Sequence, residues 1–452
     1  MLSILSEFKG FFMAIALGVL FTFGASFAFI PVQSLLIGLI AFLVTLWTNE
    51  ALPLGVVSLL PIILFPIFGV LELAAVTPNY SQSIIFLFLG GFMLAIALEK
   101  VRLHLYFSSK LLRFFPNTVL GIIYALAITS ALLSSILSNT TVTLMLLPVA
   151  LYLSSNSKLK IRFLLATAYG ASIGGILTPI GTPPNLILMG FLKEKGLPTL
   201  AFGEWVYMML PMVTIMLMVI PWLLSLGIRH ESVEEIGKEA VPILDNQQKR
   251  LYGILIVLSL LLIGNTFTKK LFGFKLDETM LLLGFGLLMF VPKIGFLIWE
   301  DTRHLPYEII FLFGAGFSIA TAFSNTGLAS SVAGRLSFIA DIPLFWMFIL
   351  VAFVVAFSTE VTSNTALTSI AIPIFYEFAK ELPSQQGVLL LLTATVAASY
   401  AFMLPIATPP NAIIMSSRVI PMHEMAKIGF IVNLIGIVVL ACVAYFLWEV
   451  MI

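Results

Sequence analysis

Long apolar runs separated by short polar connections fill this chain from one end to the other. Runs long enough to cross ~30 Å of hydrocarbon as helices lie near 11–30, 33–48, 51–70, 82–99, 161–192, 205–227, 250–264, 277–298, 306–326, 387–417 and 428–450. They predict eleven membrane-spanning helices. Two further apolar regions, roughly 120–153 and 343–379, are interrupted near their middles by polar clusters, leaving arms too short to span alone. Both read as re-entrant hairpins, because irregular backbone at membrane depth survives only where protein or a water-filled cavity surrounds it. The pattern predicts an all-α polytopic membrane protein, and no alternation of the closed-barrel kind is visible.

Charge distribution orients these elements. With eleven spans and a cytoplasmic N-terminus, sixteen of the 23 Lys and Arg residues fall on the inside and seven outside. That asymmetry obeys the positive-inside rule and fails if either hairpin is counted as a single crossing. The chain then divides into an N-terminal span (1–32), a first repeat (33–227), a polar cytoplasmic connection (228–249) carrying His230, Glu231, Glu234 and Glu235, and a second repeat (250–452).

Composition narrows the class. Of the 452 residues 60% are apolar and 10% charged, which makes the bilayer the solvent and leaves no room for a sizeable soluble domain. A net charge of +1 without a basic block excludes nucleic acid as a partner. The single cysteine, Cys442, cannot form an intrachain disulfide. Residues 1–30 lack a clean small-residue cleavage site and run directly into another apolar segment, which predicts a retained span in place of a signal peptide.

An internal repeat is the strongest organisational feature. Ile84-Ile85-Phe86-Leu87-Phe88 recurs as Ile309-Ile310-Phe311-Leu312-Phe313, a shift of 309 − 84 = 225. Ser138-Asn139-Thr140 recurs as Ser363-Asn364-Thr365 at 363 − 138 = 225, and Thr182-Pro183-Pro184-Asn185 as Thr408-Pro409-Pro410-Asn411 at 408 − 182 = 226. Five spans and one hairpin per copy is an odd number of crossings. The second copy must therefore be inverted, a recurring architecture of secondary transporters.

The polar clusters carry the candidate chemistry. Ser134-Ser135-Ile136-Leu137-Ser138-Asn139-Thr140-Thr141 and Ser358-Thr359-Glu360-Val361-Thr362-Ser363-Asn364-Thr365 each lie in the middle of a hairpin. Ser, Asn and Thr are favoured N-caps, so each second arm begins with unpaired backbone N–H groups and the positive end of a helix dipole. Such an end binds an anion without a fixed charge. Oxygens of the preceding arm can meanwhile ligate a small hard cation. Thr178-Pro179-Ile180-Gly181-Thr182-Pro183-Pro184 and its partner ending Ala407-Thr408-Pro409-Pro410 break their helices in mid-span and free carbonyls for ions. Gly181 and Ala407 allow close approach of the backbone.

Intramembrane charge is scarce. Glu360 is a candidate cation ligand, proton carrier or hairpin hydrogen-bond acceptor, and its repeat counterpart Ser135 is neutral. Glu50, Glu72 and Glu99 fall at span ends, and His104, His230, His304 and His423 in or near cytoplasmic segments. The sequence holds no HExxH, GxSxG or Walker loop, so an enzyme and an ATP-driven pump are both disfavoured, and no cofactor is expected. Without an Arg or Lys in either hairpin, a dianion would be balanced most simply by co-bound cations, which suggests sodium binding first.

The paired Ser-Asn-Thr motifs and the Gly181-to-Asn185 element, repeated as Ala407 to Asn411 with Ala for Gly, resemble those of the divalent anion/sodium symporter family. The similarity covers essentially the whole chain. It implies a homodimer in the cell inner (plasma) membrane, with a scaffold and an elevator-like transport domain. It also implies a first sodium site at Ser134, Ser138, Asn139 and Gly181, and a second at Thr359, Thr362, Asn364 and Ala407. A dianion, a C4-dicarboxylate first, would lie between Ser138-Asn139-Thr140 and Ser363-Asn364-Thr365, near Thr182, Pro183, Thr408 and Pro409. Thr362 stands where a small apolar residue is common in that family. A sodium-independent dicarboxylate exchanger and a sodium-coupled citrate or sulfate carrier remain open on the same scaffold.

Overall fold

The computed structural model describes residues 8–49, 51–229, 231, 243–272, 276–335 and 342–451. Glu50 and all of the expected cytoplasmic connection between 230 and 242 except Glu231 lie outside them. The described residues are helical throughout, with no strand among them. Six helices are long and apolar enough to cross a membrane, by length and composition: Lys9–Ser26, Pro31–Asn49, Leu73–Lys100, Phe202–Ser225, Tyr307–Asn325 and Met422–Met451.

Several of the remaining apolar segments form shorter helices, for identifiable reasons. The expected hairpins are pairs of short helices, Val119–Ser134 with Asn139–Tyr152 and Leu344–Thr359 with Asn364–Ala379. At 1.5 Å per residue, arms of 14 to 16 residues reach only about 21–24 Å. The expected spans 161–192 and 387–417 are each split, into Ser157–Gly174 and Pro183–Glu194, and into Ser384–Ala397 and Pro409–Ser416. Each second piece starts on the Pro-Pro pair, where a missing N–H costs nothing.

The expected span 277–298 is helical only over Glu278–Leu288. Beyond it the chain doubles back, and the N–H groups of Phe296 and Leu297 both donate to Met289 O at 2.8 Å. A Cβ on Gly295 would lie 1.9 Å from that carbonyl oxygen, so only glycine permits the approach.

Helix starts carry the sequence repeat into three dimensions: 344 − 119 = 225, 364 − 139 = 225 and 409 − 183 = 226. Two apolar clusters organise the packing. The larger joins both hairpins, both split spans and the helices Phe202–Ser225 and Met422–Val443. The smaller is built mainly from Pro31–Asn49, Leu54–Ile67 and Tyr307–Asn325, with Leu43, Trp47, Phe65, Leu312 and Phe323 among its members. Gly170 and Gly174 let Ser157–Gly174 lie directly on the first hairpin arm, since Cβ atoms there would fall 2.4 and 2.1 Å from the carbonyl oxygens of Ala127 and Ala131.

Candidate functional site

Where the two apolar clusters meet, a cavity of about 840 Å³ opens. Both hairpin tips line it, Ser138, Asn139 and Thr140 from one and Thr362, Ser363, Asn364 and Thr365 from the other. Both split spans contribute their break, Gly181, Thr182 and Pro183 on one side and Ala407, Thr408 and Pro409 on the other. All of the expected substrate-site residues thus surround one space. Ser134 and Thr359 do not line it; they are fully buried directly behind the tips.

Each tip turns for a local reason. After Ser134 four residues pass before Asn139 restarts the helix, and the Ser138 hydroxyl caps it by accepting from Thr141 N at 3.1 Å. The second tip turns at the same place without a side-chain cap from Ser363. Among the split spans, Thr408 caps Pro409–Ser416 by accepting from Asn411 N, and Thr182 makes no such bond. The helices beginning at Asn139, Pro183, Asn364 and Pro409 start beside the cavity, with the dipole sense that favours an anion.

Behind each tip the same pair of oxygens is drawn together. Ser134 Oγ donates to Asn139 Oδ1 at 2.5 Å, and Thr359 Oγ1 donates to Asn364 Oδ1 at 2.5 Å and to Ala398 O at 2.9 Å. On the first side a Cβ built on Gly175 would stand 2.8 Å from Asn139 Oδ1 and 3.2 Å from Gly181 O, so hairpin and split-span oxygens converge on one point. Neutral oxygens around a common point are the donor set that a small hard cation takes.

Asn185 and Asn411 have a role that residue types alone did not assign. Asn185 Nδ2 donates to Gly175 O at 3.1 Å and Thr178 O at 2.9 Å, and Asn411 Nδ2 to Ala401 O and Leu404 O, both at 3.0 Å. The Pro-Pro-Asn elements therefore hold the very carbonyls that the helix breaks release. Both Oδ1 atoms are buried without a partner among the described residues. Trp205 Nε1 secures the first break through Ile176 O at 3.0 Å, and Tyr169 ties the two breaks together by donating to Phe402 O at 2.8 Å.

Glu360 is held by hydrogen bonds on both oxygens. Oε1 accepts from Phe402 N, Met403 N and Asn433 Nδ2 at 2.8, 2.9 and 2.7 Å, and Oε2 from Met403 N and Leu404 N at 3.1 and 3.0 Å. Of the three roles open to it from sequence, the geometry is that of a hairpin acceptor. At the equivalent place in the first half a single bond from Thr178 Oγ1 to Ser135 O, 2.5 Å long, joins hairpin to break.

Glu308 also lines the cavity, and it is the one ionisable side chain among the described lining residues. From sequence it reads only as an acidic residue in the first turn of a span. The signal that marks it is its repeat position, 308 − 225 = 83, where the other half carries the neutral Ser83.

The citrate transporter family (CitMHS) matches residues 39–398. The chain is 31% identical over 441 residues to the sodium-dependent dicarboxylate transporter SdcS of Staphylococcus saprophyticus, covering 89% of this chain and 84% of that one. It is 30% identical over 448 residues to the SdcS of Staphylococcus aureus strain MRSA252, covering 90% and 84%. In fold it is similar to Neisseria gonorrhoeae MtrF, with a TM-score of 0.59 at 12% identity over 82% of this chain and 83% of that one. The Alcanivorax borkumensis YdaH transporter gives a TM-score of 0.57 at 13% identity over 81% and 86%. With paired Ser-Asn-Thr tips in one cavity and these relatives along most of its length, the chain is an integral membrane transporter of the citrate transporter family and belongs with the divalent anion/sodium symporters.

Proposed function

We propose that this chain imports a small dianion, a C4-dicarboxylate such as succinate, malate or fumarate, by sodium-coupled symport. The observation that carries the reading is the convergence of both Ser-Asn-Thr tips on one cavity whose described lining has no Lys or Arg. One carboxylate of the substrate meets the start of the helix at Asn139, the other that at Asn364, with Thr182 and Thr408 alongside. Sodium at Ser134, Ser138, Asn139 and Gly181, and at Thr359, Thr362, Asn364 and Ala407, balances the two charges and orders the tips first. The SdcS relatives, named as sodium-dependent dicarboxylate transporters, support both substrate and coupling.

Transport on this reading is elevator-like. The hairpins and split spans move as one body against a wall made of Pro31–Asn49, Leu54–Ile67 and Tyr307–Asn325, the division along which the two apolar clusters lie. The repeats are inverted, the N-terminus is cytoplasmic in the inner membrane, and two copies pair through the wall bodies.

The test is uptake of labelled succinate into proteoliposomes with and without an inward sodium gradient. Sodium-stimulated accumulation into vesicles without internal dicarboxylate is the expected result. Uptake indifferent to sodium that requires internal dicarboxylate would establish the exchanger instead.

A further inference from the structure

We propose that Glu308 sets the charge limit of the cavity, admitting dicarboxylates and rejecting a third carboxylate such as that of citrate. The inference rests on the anion-carrier reading above and deepens it. A cavity of about 840 Å³ lies in the range, about 300–1,000 Å³, that accepts drug-sized ligands, so volume cannot separate a four-carbon from a six-carbon acid. Discrimination has to come from charge and hydrogen bonding.

Glu308 is placed to supply it. It is exposed in the first turn of Tyr307–Asn325, lines the same cavity as both tips, and makes no ion pair with a described residue. It belongs to the wall, where it lies over Leu54–Ile67: a Cβ on Gly55 would meet Glu308 Cγ at 3.3 Å. The helix N-terminus makes a carboxylate tolerable there but contributes only about half a unit of positive charge, so the wall stays negative. Two carboxylates engaged by the tips leave the remainder of the substrate facing this wall. A carbon chain or a hydroxyl, which can donate to Glu308, is acceptable, whereas a third carboxylate meets a like charge at close range. Ser83, at the equivalent position of the other half, is neutral and accepts a bond from Lys193 Nζ at 2.8 Å, so the restriction is one-sided.

The experiment is competition for labelled succinate uptake in proteoliposomes by unlabelled succinate and by citrate, at about pH 8 where carboxylates are fully ionised. In the wild-type protein citrate is expected to inhibit at least about tenfold more weakly than succinate, the scale of one like charge at close range. Glu308→Gln shrinks that gap about tenfold, Glu308→Ser, which restores the neutral side chain of the other half, does the same, and Glu308→Asp preserves it. Equal inhibition of the wild type by both acids, or an unchanged ratio in Glu308→Gln and Glu308→Ser, would overturn the proposal while leaving dicarboxylate transport standing. Absence of succinate uptake by the wild-type protein would overturn the substrate reading and this proposal together.

Discussion

Both carboxylate oxygens of Glu360 accept from the backbone N–H of Met403, at 2.9 and 3.1 Å, and the carboxylate thereby fastens the second hairpin to the second helix break. The side chain of its counterpart Ser135 bonds only within its own helix, through Leu132 O at 2.8 Å, and the joint to the first break is made by the Ser135 carbonyl, which accepts from Thr178 Oγ1. The two equivalent positions should therefore respond in opposite ways to loss of their polar group. Glu360→Gln places an amide N–H₂ against N–H donors and is expected to cost about 1–3 kcal/mol and to depress uptake sharply. Ser135→Ala should leave both close to wild type. Thermal melting in detergent together with succinate uptake checks the pair, and equal sensitivity at both positions would show that the asymmetry has no energetic weight.

The oxygen pairs behind the tips predict where sodium dependence resides. Asn139→Ala removes the Oδ1 to which Ser134 donates, and Asn364→Ala removes the one to which Thr359 donates. Each variant should raise the sodium concentration for half-maximal uptake by at least about tenfold, a loss of about 1.4 kcal/mol in cation binding. Sodium titration of uptake at fixed succinate reads this directly. Normal sodium response in both variants would remove the oxygen pairs from the coupling mechanism.

Much of this arrangement was legible because it depends on local chemistry. Polar clusters at fixed positions within apolar runs marked both hairpins, and N-cap residues and Pro-Pro pairs marked where their helices restart, within a residue of Asn139, Pro183, Asn364 and Pro409. What stayed hidden depends on distant contacts. The early end of Glu278–Leu288 follows from the approach of Gly295 to Met289 O, which no hydropathy pattern records. The partners of Glu360 come from 402–404 and from Asn433, more than forty residues away, so sequence left three roles open. Glu308 was masked by its ordinary place in the first turn of a helix, and only the neutral Ser83 in the other half sets it apart.

Two neighbouring glycines should fail differently. Gly174 lies against the backbone of the first hairpin, with Ala131 O at 2.1 Å and Ala131 Cα at 2.3 Å from a built Cβ, so Gly174→Ala must push the helix off the hairpin arm. A loss of about 1–3 kcal/mol in stability is expected, seen as a lower melting temperature without sodium. Gly175→Ala directs its methyl group at Asn139 Oδ1 and Gly181 O, into the oxygen cluster itself. Its deficit should appear as weakened stabilisation by added sodium. Melting curves with and without sodium separate the two, and identical sodium shifts in Gly175→Ala and wild type would place the cation elsewhere.

The ion pair between Lys100 and Asp301 predicts a pH effect on stability. Burial pushes the Asp301 carboxyl up, but the hydrogen bond from Lys100, that from Ile298 N and the Lys100 charge together hold it below the usual carboxylate range. Lys100 Nζ lies 2.5 Å from Asp301 Oδ2 and links the end of Ser83–Lys100 to the Trp299–His304 turn. A carboxyl whose folded pKa is depressed stabilises the fold above its unfolded value, about 3.9, and loses that contribution as pH falls through the folded pKa. The pair is partly solvent-exposed, with 39% and 18% of the two side chains accessible, so screening limits its worth to under about 1 kcal/mol. Asp301→Asn should therefore lower the melting temperature slightly at neutral pH, less so in high salt. The difference should close as pH falls through the depressed folded pKa, where the wild-type carboxyl is also protonated. A deficit that persists undiminished below that pKa would assign the effect to packing or to the Ile298 N–H bond, with the ion pair contributing nothing.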